Sequence, residues 1–135
     1  MVEREFIVPG EPRGKARPRV TKNGAFTPRK QVEYENLVKV MYLEKYVGAP
    51  MMEGPITAFI EARFAIPKSF NKKKREAALR GEIRPTKRPD ADNIIKSVLD
   101  SLNGVAYHDD AAVTRVVMAK KYTDGAPCVH VVLHD

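Results

Sequence analysis

Residues 88–110 hold Asp90, Asp92, Asp100, Asp109 and Asp110, directly after the densest run of lysine and arginine in the chain. Carboxylates beside a cationic patch either neutralise it or hold a metal ion there. Asp90 and Asp92 are separated by one residue at a loop-to-helix junction, and in extended backbone such a pair points to the same side. Pro89 restrains its own φ and the backbone of Arg88, so the approach to the pair is stiff. Two like charges on one side are costly unless something cationic sits between them. Hard oxygen ligands suit Mg²⁺ or Mn²⁺, and Mg²⁺ commonly takes only a few carboxylates and keeps waters for its substrate. The alternative is purely structural. Asp92 then caps a helix, Asp90 pairs with Arg88, Asp100 pairs with Lys96, and His108-Asp109-Asp110 is a turn. His108 reads as an ordinary loop histidine, and His130 and His134 as structural residues of a terminal strand.

These side chains need elements to carry them. Ile94, Ile95, Val98, Leu99 and Leu102 fall on one side of a helical wheel, so a helix follows Pro89. Asp92 is expected at its N-cap, with Lys96 and Asp100 on the polar side at steps of four. Asn103-Gly104 ends the helix, and Val105 to Tyr107 reads as a short extended piece leading to Asp109-Asp110. Upstream, Glu5 to Pro9 reads as a strand, and GEPRGKARPRVTKNG as a long loop without apolar period. Thr27 as N-cap and Pro28 at the first helical position open a helix over residues 28 to 47, with Val32, Leu37, Val38, Met41 and Leu43 recurring at near-helical spacing. Ile56 to Phe64 alternates as a half-buried strand. Ser69 caps a basic helix running to Arg80, with Gly81 as terminator. Val113 to Tyr122 and Cys128 to Leu133 are further strands. Irregular alternation of strands and helices predicts an α+β (α/β-like) fold: one domain over residues 1–135, a mixed sheet with two or three helices packed on it.

Charge is segregated. Lys68 to Arg88 carries a surplus of seven positive charges and Arg13 to Lys30 another seven, so the rest of a chain of net charge +7 is acidic. Such a field suits a polyanion, nucleic acid first. Arg13, Lys15, Arg17, Arg19, Lys72, Lys73, Lys74, Arg88 and Asn93 are the candidates for gripping it. The apolar stretches are too short to span a bilayer. The acidic start of the chain does not read as a signal peptide, which points to the cytoplasm. One cysteine, Cys128, excludes an internal disulfide and a Cys-rich zinc site; it reads as a buried strand residue.

The run KRPDADNIIKSVLDSLNGVAYHDDAAV, Lys87 to Val113, resembles the signature of the RusA-type Holliday junction resolvases: K-P-D-x-D-N-x-x-K, then D-x-L-N-G, then D-D-x-x-V. Arg88, standing before Pro89-Asp90, is its departure. PGEPRGKARPR (Pro9 to Arg19) and Phe26 to Pro28 are similar to the N-terminal loop of many members. The resemblance implies a crossover junction endodeoxyribonuclease of recombination and repair, with Asp90, Asp92 and Asp110 as Mg²⁺ ligands and Lys96 as the lysine required for cleavage. It prefers Asp110 over Asp109; in extended backbone the two would face different ways. It implies a homodimer that nicks a four-way junction on two strands related by a two-fold axis, acting on nucleoid DNA or encoded by a phage. Read from the residues alone, a nuclease for other branched DNA or RNA, or a non-catalytic nucleic-acid-binding module, remains open, since phosphate grip is generic.

Overall fold

The computed structural model describes residues 1–15, 19–26 and 28–135. Its elements are β1 (Glu3–Pro9), β2 (Arg19–Thr21), β3 (Gly24–Phe26), α1 (Arg29–Lys45), β4 (Ile56–Ala65), α2 (Lys72–Leu79), α3 (Ala91–Ser101), a 3₁₀ turn (Asp110–Ala112), β5 (Val113–Thr123) and β6 (Cys128–His134). The order in the main sheet is β1-β6-β4-β5. β4 and β5 are parallel, and the other pairs are antiparallel. Parallel neighbours need a crossover, and here α2 and α3 supply it. This is the expected α+β arrangement of a mixed sheet and three helices. Among the described residues no helix is long and apolar enough to cross a membrane.

The core lies between the helices and one face of the sheet. Phe6 and Val8 of β1, Ile60 and Phe64 of β4, and Val129, Val131 and Leu133 of β6 are buried there with Ile94 and Val98 of α3. β4 alternates as its sequence predicts, burying Ile56, Ala58, Ile60, Ala62 and Phe64. Cys128 is buried, as a strand residue should be.

Five local expectations are corrected. The first helix buries Gln31, Tyr34, Val38 and Tyr42, whereas Val32 and Leu43 are exposed. Tyr34 and Tyr42, eight residues apart with Val38 between them, set its face because tyrosine pairs apolar bulk with a polar tip. Tyr42 meets the Phe6 ring edge-on at 5.6 Å and accepts a 2.6 Å hydrogen bond from the buried guanidinium of Arg4. At its start Pro28 occupies the cap position rather than the first helical one; Thr27 lies outside the described residues. Asn71, not Ser69, caps α2, its Oδ1 accepting from the Lys74 N–H at 2.8 Å; Ser69 lies in the turn that the Phe70 N–H closes onto Pro67 O. Within the stretch read as a loop, β2 and β3 pair as a hairpin too short to show a period of two. Val105 to Tyr107 is a tight turn, with Gly104 N–H bonding Tyr107 O at 2.8 Å. The Tyr107 hydroxyl donates to Leu99 O at 2.7 Å, which folds the segment back onto α3.

Candidate active site

Asp90 takes the N-cap position of α3, and Asp92 lies in its first turn. The expected N-cap role of Asp92 therefore passes to Asp90, whose side chain makes no capping bond; Asp92 still gains from the positive end of the helix dipole. Both acids are exposed, as is Lys96 one turn on. The N-terminal loop packs on this junction. Lys15 N–H donates to Asn93 O at 3.1 Å. Gly14 comes so near that a Cβ there would stand 2.9 Å from the Asn93 Cβ and 3.1 Å from the Pro89 Cβ. The result is a concavity of about 730 Å³ walled by Pro12, Arg13, Gly14, Arg88, Pro89, Asp90 and Asn93. Two guanidinium-bearing residues, a carboxylate and a helix N-terminus thus line one surface, which suits an anionic backbone.

A second acidic centre forms at the other end of α3. The Lys15 ammonium reaches past the helix start to Asp100 Oδ2 at 2.6 Å and lies 3.9 Å from Glu35 Oε1. Asp100 therefore pairs with Lys15, and the expected partner Lys96 contributes only its field. Asp110 is held by its own backbone, whose N–H donates to Asn103 Oδ1 at 2.7 Å. Its turn is fixed from below, since a Cβ on Gly54 would stand 2.8 Å from the Ala112 Cβ. There the Asp110 carboxyl shares a hydrogen bond with Asp100, is partly withdrawn from water and feels Asp109, and these push it up to about 6. Burial alone would raise Asp100 as well, but hydrogen bonds from Lys15 and Asp110 outweigh it and hold Asp100 low. Lys15 is raised in turn, first by its bond to Asp100. Asp109 is extended while Asp110 begins a 3₁₀ turn. The alternation expected of an extended pair is thus broken, and the Asp109 side chain also bonds Asp110.

Asp90, Asp92 and Asp110 do not form one tight group: among the described residues no three Asp, Glu, His or Cys side chains are placed to hold an ion. The donor chemistry nonetheless fits a hard divalent cation. All candidates are carboxylates, and the Asp100–Asp110 contact is a like-charged pair that a cation relieves. Lys72, Lys73 and Lys74 form the exposed first turn of α2, the last with its ammonium 4.2 Å from the Phe70 ring centroid. Arg17 lies outside the described residues, and Arg19 is described only by its place in β2. His108 is exposed, His130 faces Glu5 at 3.1 Å and His134 stacks on Phe59. The features that sequence reasoning missed are the Lys15–Asp100 pair and the Asp100–Asp110 contact. Their partners are 85 and 10 positions apart, and no spacing rule links them.

Comparison with known proteins identifies the family. The family model described as endodeoxyribonuclease RusA matches residues 9–134, from the end of β1 through β6. The chain is 33% identical over 142 aligned positions to the uncharacterized protein YqaN of Bacillus subtilis (strain 168), an alignment that takes in 97% of this chain and 95% of that protein. With nearly its whole length matched, the chain belongs to the RusA endodeoxyribonuclease family.

Proposed function

We propose that this endodeoxyribonuclease resolves Holliday junctions by paired symmetric nicks, as a Mg²⁺-dependent homodimer acting in recombination and repair. The observation that carries the reading is the start of α3, where Asp90, Asp92 and Lys96 stand on a helix end whose concavity is walled by Arg13 and Arg88. Asp90, Asp92 and Asp110 would hold the cation, with Mn²⁺ as a substitute. Once bound it supplies Lewis-acid polarisation of the phosphoryl group and a more acidic attacking water.

The chain's own residues do the rest. Arg13, Arg88 and Asn93 seat the phosphate backbone against the loop. Lys96 sits one turn beyond Asp92, and its ammonium balances the charge that develops on the phosphate as water adds and the P–O3′ bond breaks. The first backbone N–H groups of α3 face the same anion. Lys15 serves differently from the surface lysines. Its charge is engaged by Asp100, so it holds the loop in place while Arg13 and Arg88 meet DNA. Lys72, Lys73 and Lys74 add affinity without reading sequence.

The test is cleavage of a synthetic four-way junction beside flap and fork substrates, with Mg²⁺ and with EDTA. Asp92→Asn and Asp110→Asn should lose cutting while retaining junction binding, and Lys96→Ala should lose cleavage more than affinity. Parental rates in either Asp variant would sink the site assignment. Preferential cutting of flaps or forks would move the substrate to another branched DNA, and binding in EDTA with no cutting in any metal would leave a binding module.

A further inference from the structure

The Lys15 ammonium is seated among carboxylates from three elements. It lies 2.6 Å from Asp100 Oδ2 on α3 and 3.9 Å from Glu35 Oε1 on α1, and it feels Asp110 at the 3₁₀ turn. Asp100 in turn shares a hydrogen bond with Asp110, one of the three acids assigned to the cation. An ammonium thus stands in the surroundings that suit a hard divalent ion: oxygen donors, gathered negative charge and partial access to water, the Lys15 side chain being 36% exposed. The backbone fixes where that side chain starts. Lys15 N–H bonds Asn93 O at 3.1 Å, and Gly14 before it is pressed on Asn93 and Pro89.

An ion pair made by a long side chain at this exposure is weak. A divalent cation carries twice the charge and is held by several oxygens at once. The two cations repel one another at such short range and cannot share one carboxylate pair. We infer that the Lys15 ammonium is the built-in counter-ion of the acidic centre and yields its place beside Asp100 and Asp110 when a divalent cation binds. The inference rests on the Mg²⁺ reading above and adds a residue to it, since Lys15 then sets how tightly the centre holds its ion. Until the ion arrives, the lysine offsets the repulsion between Asp100 and Asp110. Once displaced, it no longer ties residues 13–15 to the far end of α3, and the loop keeps its Asn93 and Gly14 contacts. The coupling is reciprocal: ion binding loosens the tether, and loosening the tether strengthens ion binding. A lysine that merely supported the centre predicts the reverse, because its loss would disorder the carboxylates and weaken their hold on the ion.

The experiment is titration of the DNA-free protein with Mn²⁺, the free ion being read by electron paramagnetic resonance, with circular dichroism to verify folding. Lys15→Met should bind Mn²⁺ about fivefold more tightly, the factor set by no longer having to break an ion pair of this exposure. Lys15→Arg keeps the charge and should stay within about twofold of the parent, as should Lys72→Met, which removes the same charge outside the centre. Amide exchange gives a second readout. Mg²⁺ should quicken exchange at residues 13–15 of the parent, where a ligand that only stabilised the fold would slow it. Mn²⁺ binding by Lys15→Met that is absent, unchanged or weaker would overturn the inference. So would an equal gain in Lys15→Arg or Lys72→Met, or slower exchange at residues 13–15 in Mg²⁺. Junction cleavage is scored separately. Mg²⁺-dependent cutting by a parent whose Mn²⁺ titration matches that of Lys15→Met defeats the role of Lys15 alone, whereas the expected titrations from a protein that cuts nothing defeat the catalytic reading alone.

Discussion

Asp110→Asn should make the metal-free protein more stable at neutral pH while abolishing its activity. The Asp110 carboxyl is pushed from an ordinary 3.8 to about 6 in the fold, first by its hydrogen bond with Asp100 and then by burial. A folded-state pKa above the unfolded one contributes stability that is fully present below about pH 4 and is lost as pH rises through about 6. That displacement corresponds to at most about 3 kcal/mol. Asp110 is partly exposed, and solvent screening reduces this to about 1 kcal/mol. Asp100 works in the opposite direction: its lowered pKa contributes stability above the ordinary carboxylate range, lost only as pH falls through its folded value. Between pH 5 and 7 it is already ionised, so Asp110 sets the slope. Asparagine cannot ionise and can still donate to Asp100. Urea unfolding in EDTA should therefore give parent and variant similar stability near pH 4, and the variant an advantage of about 1 kcal/mol by pH 7.5. Added Mg²⁺ should then raise the midpoint of the parent more than that of the variant. A stability difference that does not change with pH, or that favours the parent at pH 7.5, would refute the repulsion argument.

Other perturbations test the loop, the core and the basic helix. Lys15→Met removes the 2.6 Å pair with the half-exposed Asp100 and should cost only about 0.5–1 kcal/mol globally, but amide exchange at residues 13–15 should quicken markedly; unchanged exchange would mean the loop is held by Gly14 packing alone. Tyr42→Phe leaves the Arg4 guanidinium buried without its 2.6 Å acceptor and should cost about 2 kcal/mol in chemical denaturation. Replacing Lys72, Lys73 and Lys74 by Ala should flatten the slope of log affinity against log salt by up to about 2.7 for duplex arms if all three contact phosphates; an unchanged slope would remove the first turn of α2 from the DNA surface.

The parts of this fold that local pattern determines were legible. β4 alternates because one face is covered, and α3 shows its apolar stripe because its neighbours lie on one side. The face of α1 was not, because aliphatic spacing pointed to Val32 and Leu43. The packing is decided by Tyr34 and Tyr42, whose amphipathic rings reach elements far away in sequence. The Val105–Tyr107 turn was read as extended for a similar reason. The run is apolar, but one long-range constraint, the Tyr107 hydroxyl on Leu99 O, bends it back.

The site divides along the same line. Asp90, Asp92, Lys96 and the helix start lie close together in sequence, so their chemistry could be read there. What brings them into relation is not consecutive. Gly14 must pass against Asn93, Gly54 must pass against Ala112, and Lys15 must find Asp100. Each of these contacts joins segments about 60 to 85 positions apart, at separations where loop-closure entropy is set by the whole chain rather than by neighbours. The two glycines admit close approach, and only the lysine adds an attraction. The acidic centre therefore depends on the fold to hold repelling groups together. That is why a substitution that lowers the repulsion should stabilise the protein and, in the same step, end its chemistry.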